Sequence, residues 1–267
     1  MLHLLKRHPI AVEANFDYTL VLTYALPADI LKPLLFPGIA LDTFANAGED
    51  FGFVAIAMVE TKGLRPKGLP SFMGQDFFLT GYRIFARYKT AEGKTLRGLR
   101  ILRSDTDKPI MSVAGNFLTH YKYELASVKR KRSQDRLNIK VFTPSGRGNL
   151  EMNAIIGDGK ADADLPANSP FKSIKEARQF EGPMPFTFDF EKETNSIVMV
   201  EGVRQEWHPR NIEVDVKTVD FFRHGPFKSV EPRLSSAFYI ENIPYWWKQG
   251  SCEKLSEMGD APRVSDG

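Results

Sequence analysis

The dominant apolar period in this 267-residue chain is two, and a chain patterned that way folds into sheets rather than a helix bundle. Tyr18 to Tyr24, rich in Tyr, Thr, Leu and Val, reads as a strand. Phe51 to Glu60 is nearly continuous in apolar residues, the pattern of a strand buried on both faces. Phe77 to Tyr88, a turn at Ala91-Glu92-Gly93, and Leu96 to Arg103 form a hairpin. Further extended segments are predicted at Ile110 to Asn116, Leu137 to Phe142, Leu150 to Ile156, Pro185 to Phe190, Ile197 to Val203 and Ile212 to Val219. The last of these alternates apolar and polar residues cleanly from Ile212 to Val216, as a half-exposed antiparallel strand should.

Helix is sparse. Ala28 to Leu35 reads as a short helix limited by Pro33, and Ser169 to Phe180 as another, with Pro170 in the first helical position behind a Ser169 cap. Gly63 to Gly74, with three glycines and two prolines, is expected to be a loop, of a length that is usually functional or mobile. The polar tail from Ser251 is expected to fray. No fixed-period repeat and no low-complexity linker divides the chain. The expectation is therefore one β-rich domain over residues 1–267, its core spanning about 12–250, with a few short helices.

Composition narrows the function classes. A content of 42% hydrophobic and 12% aromatic residues supplies a sizeable core. A net charge of +3 and a pI near 8.8 lack the concentrated basic stripe of a dedicated nucleic-acid binder. Lys129-Arg130-Lys131-Arg132 is the one basic cluster, read as a solvated turn between strands, with an anionic lipid or nucleic acid as the alternative. Cys252 is the only cysteine, so neither an intrachain disulfide nor a thiolate metal site can form. The N-terminal stretch lacks a signal-peptide apolar region, and no run approaches 18 apolar residues, so a soluble cytoplasmic protein without membrane partners is the default. Walker, G-x-G-x-x-G, G-x-S-x-G and H-E-x-x-H motifs are absent. His3, His8, His120, His208 and His224 never sit at spacings that share a helix face, so neither a cofactor nor a metal is implied.

What remains is a set of isolated polar residues. Arg83, beside Tyr82 in FFLTGYRIFARY, is costly to bury unpaired, so it either faces water or grips an anion. Glu206-Trp207-His208 lies in a turn rich in Pro and Asn and is read equally as a functional group or a packed corner, and Tyr245-Trp246-Trp247 is read as the closure of a barrel end in preference to a stacking platform for a ligand. Lys122 lies between Tyr121 and Tyr123, and a lysine becomes a nucleophile only when desolvation or a neighbouring cation lowers its pKa. On a strand, an inward Lys122 shares its face with His120, a proton carrier or a second cation, while both tyrosines point away. The plain alternative is a surface lysine in a strand-end loop.

Three stretches carry a family resemblance. They are TLVLTYALPADILKPLLFPGIALDTF (Thr19 to Phe44), GLRILRSDTDKPIMSVAGNFLTHYKYEL, and EGPMPFTFDFEKETNSIVMVEGVRQEWHPRNIEVDV. Together they resemble the acetoacetate decarboxylase-like superfamily, the third looking like a branch of unknown function. The resemblance implies an antiparallel sheet closed into a cone or barrel around a mostly apolar cavity, and a homo-oligomer. Anchoring on Pro109 puts Lys122 at the Schiff-base lysine, Tyr123 where an adjacent lysine stands, and Arg83 at an active-site glutamate. A second family glutamate falls near Ala55 and an early arginine near Asp17; a one-residue slip moves Tyr121 or Tyr123 into the lysine position.

The implied site has Lys122 and His120 as catalytic groups, with Arg83, Tyr82, Asn116 and Tyr121 binding substrate. One implied function is imine chemistry on a small keto acid. An Arg83 clamp on the ground-state carboxylate works against decarboxylation itself, so another imine reaction, or a different substrate, is favoured over acetoacetate. The other is non-catalytic binding of a small apolar or carboxylated ligand in the cone. The two diverge on whether Lys122 is enclosed.

Overall fold

The structure, a computed structural model, describes residues 2–157, 163–205 and 207–255. The chain opens with α1 (Leu2–Leu5) and the long strand β1 (Val12–Pro27). It turns through α2 (Ala28–Leu31) and returns by β2 (Ile39–Leu41) and β3 (Phe44–Asn46) to β4 (Glu49–Pro66). The hairpin β5 (Gln75–Lys89) and β6 (Thr95–Thr106) is followed by α3 (Pro109–Leu118) and β7 (Tyr123–Leu125). Next come β8 (Ser127–Arg132), β9 (Arg136–Phe142), β10 (Leu150–Ile155), α4 (Ile174–Glu181), β11 (Phe186–Glu191) and β12 (Ser196–Arg204). The described chain ends in β13 (Arg210–Asn211), β14 (Glu213–Val219), β15 (Arg233–Trp247) and β16 (Ser251–Lys254).

The sheet closes on itself, as the resemblance implied. In the 12-stranded sheet, β15-β1-β4-β5-β6-β11-β12 form a ring of seven, because β12 also pairs with β15. Every pairing in the ring is antiparallel except that of β6 with β11. A second sheet, in the order β14-β10-β9-β8, lies against the ring's outer face.

That packing accounts for the continuous apolar runs. Leu20, Leu22 and Leu26 on β1, Val54, Ile56 and Met58 on β4, and Phe78, Tyr82 and Ile84 on β5 meet Leu137, Ile139, Val141 and Met152 of the second sheet. The intervening residues, among them Val21, Ala55, Ala57, Val59 and Phe85, turn to the inside of the ring. Strands whose alternate residues enter two different apolar layers carry no polar face, so their period of two is masked by burial on both sides.

Several expectations are corrected. Ile110 to Asn116 is not extended but lies in α3, which has Pro109 in its first turn. Met111, Ala114, Gly115 and Leu118 face the ring interior at helical spacing, whereas Ile110, Val113 and Phe117 are exposed. The second predicted helix begins at Ile174 rather than Ser169. Ser173 caps it by accepting from Glu176 N at 3.2 Å, and Glu176 accepts from Lys172 N at 2.6 Å, a local arrangement close to a capping box.

The expected loop at Gly63 is shortened, because β4 runs on to Pro66 and a 3-10 turn fills Ser71–Met73. Lys129 to Arg132 is part of β8 rather than a turn; Arg130 pairs with Glu60 and Asp107, and Arg132 with Glu241. The start of the tail does not fray, since β16 pairs with β12; the residues from 256 onward lie outside those described. No helix among the described residues is long and apolar enough to cross a membrane.

Candidate functional site

The inside of the ring holds a cavity of about 250 Å³. Its walls are mostly apolar: Val21 on β1, Ala55, Ala57 and Val59 on β4, Leu79 and Phe85 on β5, with α3 across one side. Into this space project the guanidinium groups of Arg83 and Arg204, the carboxyl of Glu181, and the phenols of Tyr121, Tyr123 and Tyr245. None of the described lining residues is a lysine.

Arg83 enters from β5. Its guanidinium folds back over Gly81, two residues earlier on the same face, where a Cβ would stand 2.9 Å from Arg83 Nε. Arg83 Nε is buried without a protein partner, and the residue makes no ion pair among the described residues. Burial lowers its pKa, opposed by Tyr245, Tyr123 and Tyr121, yet an arginine keeps its charge at any physiological pH. Arg204, near the end of β12, stacks on Trp207 with its Cζ 4.3 Å from the ring centroid and lies 5.8 Å from that of Tyr245. Burial lowers its pKa too, and the positive charge of Arg83 pushes in the same direction. Two like charges thus face one low-dielectric space.

The phenols surround Arg83. Burial raises the pKa of all three, that of Tyr123 to about 12 with Arg83 opposing, so they stay protonated and able to donate. Tyr123 lies over Gly115 of α3 and Tyr245 over Gly202 of β12; in both places a Cβ would collide with the phenol. Glu181, the last residue of α4, is 8% exposed. Its Oε2 accepts from Ser236 Oγ at 2.6 Å, while Oε1 is buried without a protein partner. Burial raises its pKa to about 8, only partly countered by Ser236 and Thr23.

The sequence-predicted residues divide. Arg83 and Tyr121 line the cavity. Lys122 does not: it is exposed, and its backbone has φ of 53°. A tight turn replaces the strand on which the alternation argument rested. Thr119 closes α3, its N bonding to Gly115 O at 2.9 Å, and its Oγ1 accepts from Tyr121 N at 3.2 Å. Asn116 then brackets Tyr123, donating to its O at 2.8 Å and accepting from its N at 2.7 Å. This turn sends both tyrosines inward and Lys122 outward, the reverse of the expected arrangement.

Asn116 is therefore a brace for the turn, exposed and outside the cavity. His120 borders a separate chamber of about 10 Å³ beside Asp189, whose pKa burial raises and His120 counters. Tyr82 points away from the cavity: it is fully buried in the other layer, donates to Gly148 O at 3.1 Å and stacks on Phe221. Trp207 and, with Trp247, Tyr245 line the cavity rather than only sealing a corner or an end; Glu206 lies outside the described residues. Sequence reasoning missed Glu181, Arg204 and Tyr123. The only signal for the first two was a lone charge next to aromatic or glycine-proline segments, in FEGP and VRQEW.

The profile of DUF2071, a family described as an uncharacterized conserved protein, matches residues 13–237. No curated protein matches the chain significantly. Solved structures do. Acetoacetate decarboxylase from Legionella pneumophila subsp. pneumophila str. Philadelphia 1 superposes with a TM-score of 0.58 at 12% identity, over 92% of this chain and 88% of that one. The enduracididine biosynthesis enzyme MppR, complexed with pyruvate, gives 0.56 at 9% identity, over 91% and 90%. An acetoacetate decarboxylase-like enzyme from Sphingomonas wittichii RW1 gives 0.54 at 10% identity, over 92% of each chain. At such identities the likeness establishes the fold, which is acetoacetate decarboxylase-like.

Proposed function

The chain belongs to the DUF2071 family, and from that footing we propose that its cavity receives a small carboxylate-bearing molecule with an apolar body. The observation that carries this reading is Arg83, a half-buried cation on the wall of an apolar cavity, its Nε enclosed and with no anionic partner among the described residues. A desolvated guanidinium is unfavourable until an anion joins it, and a carboxylate matches its fork with two parallel hydrogen bonds. The three phenols supply further donors around the same point, and the Val, Leu, Ala and Phe walls take the ligand's body. A neighbour of the same fold has been solved with pyruvate, itself a small carboxylate, which supports the reading.

Imine chemistry through Lys122 is not part of this proposal. Lys122 is exposed and outside the cavity, and none of the described cavity-lining residues is a lysine that could replace it. The binding reading makes no demand on that residue.

Calorimetric titration with matched pairs, each carboxylate beside its primary amide, tests the proposal. A charge-assisted hydrogen bond contributes about 1.5–3 kcal/mol, so the carboxylate binds roughly 10- to 150-fold more tightly than its amide. Arg83→Met removes that preference. Amides that bind as well as their acids, or an Arg83→Met protein that keeps the discrimination, refute the assignment.

A further inference from the structure

Among the described residues the cavity is lined by one acidic group, and the carboxylate reading leaves it unused. Glu181 sits where an anion receives little help: no cation pairs with it among the described residues, the neutral hydroxyls of Ser236 and Thr23 only partly offset its burial, and Oε1 is buried without a protein partner. The charged groups around it act elsewhere. Arg178 on the same helix donates to Pro209 O, and Arg97 from β6 donates to Phe180 O and to Asp42. Arg87 also pairs with Asp42, while Arg83 and Arg204 are surrounded by the phenols and Trp207. What faces the carboxyl from β1 and β15 is Thr23 and Ser236, both neutral.

Glu181 is held at a different part of the cavity wall from Arg83. Ser236 pairs with Thr23, Thr23 with Ala55, and Ala55 with Arg83, a lateral row crossing β15, β1, β4 and β5. Three inter-strand spacings separate the ends of that row, about 14 Å between backbones along the sheet. The Arg83 guanidinium leans off this row, over Gly81.

We infer that Glu181 keeps its proton and donates it as a hydrogen bond to a ligand oxygen remote from the carboxylate. This rests on the carboxylate reading and deepens it. The ligand class becomes an acid whose apolar spacer carries an acceptor oxygen, such as a ketone, at its far end. A three-carbon 2-oxo acid such as pyruvate is too short to reach both groups. The carboxyl's raised pKa, about 8, keeps the donor present at neutral pH.

The test compares octanoate with its methyl-ketone analogue, the oxo acid of equal chain length whose carbonyl adjoins the terminal methyl, and with pyruvate. At neutral pH the methyl-ketone acid binds the wild-type protein about 5- to 10-fold more tightly than octanoate, one hydrogen bond's worth. Glu181→Gln keeps this preference through its amide N–H, and Glu181→Leu loses it, while octanoate itself still binds both. In the wild-type protein the preference fades as pH rises past about 8, but in Glu181→Gln it does not change with pH. That contrast separates a proton donor from a merely structural residue, and the wild-type profile alone serves if Glu181→Leu does not fold.

A wild-type preference that is absent, or that grows with pH, overturns the role of Glu181. So does pyruvate binding as tightly as the methyl-ketone acid. Octanoate binding that depends on Arg83 keeps the carboxylate reading standing in either case, whereas failure of all three acids to bind refutes that reading first.

Discussion

A carboxyl that stays protonated to about pH 8 in the folded protein leaves a thermodynamic trace without any ligand. In the unfolded chain Glu181 titrates near its ordinary value of 4.5, and in the folded protein at about 8. The folded protein therefore holds this proton to higher pH than the unfolded chain does. Its contribution to stability is complete below the unfolded value and is lost as pH rises toward and through the folded one. The gap of about 3.5, at 1.36 kcal/mol for each, amounts to roughly 5 kcal/mol over the whole titration, of which about 2.5 kcal/mol falls between pH 6 and pH 9.

Glu181→Gln removes the titration and retains the shape and the contact with Ser236. Urea unfolding of both proteins across this range gives the difference in unfolding free energy. Other groups, including the buried Asp105 and the half-buried Asp189, are common to both and cancel. The Gln protein should gain on the wild type by about 2.5 kcal/mol from pH 6 to pH 9, whatever its offset at the start. A difference that stays flat would mean that Glu181 is ionised in the folded state, and the argument from its burial would fail.

Two further outcomes follow from the site. Gly81→Ala puts a methyl group 2.9 Å from Arg83 Nε, and the flexible guanidinium end moves rather than the strand. Carboxylate affinity should fall about 10-fold or more with little change in unfolding midpoint, and unaltered affinity would show that Arg83 does not hold the anion. Borohydride treatment with pyruvate or the longer oxo acid should leave Lys122 unmodified beyond the level of other exposed lysines, as read by peptide mapping. A stoichiometric Lys122 adduct lost in Lys122→Ala would reinstate imine chemistry.

The strands were legible because β1, β4 and β5 are wedged between two apolar layers, which few structures other than an enclosed sheet allow. Helix α3 was not. Its buried face is the weakly apolar set Met111, Ala114, Gly115 and Leu118, while the strand-favouring Ile110, Val113 and Phe117 lie on its exposed face. Losing the helix also lost the turn after it, and with that the direction of Lys122. Arg83 could be singled out from sequence because a charge inside an apolar strand has few inexpensive places to go. Its neighbour Tyr82 then had to face the opposite layer, a corollary of strand alternation that the resemblance obscured. Glu181, Arg204 and Tyr245 come from separate segments that meet only when the ring closes, and no local pattern encodes their meeting.

The closure of that ring bears on how the protein reaches its working form. β6 joins β11, and β12 joins β15, across long stretches of chain, and Arg204 is paired directly with Tyr245 at the second junction. Pairings between distant segments form slowly, since the chain must lose its freedom before the contacts reward it. Arg83 lies on the β4–β5–β6 meander, assembled from near neighbours, whereas Arg204, Tyr245 and Glu181 arrive with the late strands. A partly folded chain thus holds only one side of the pocket. A ligand spanning both sides would bind the closed ring alone, and its occupancy would then act as a latch that slows the seam from opening.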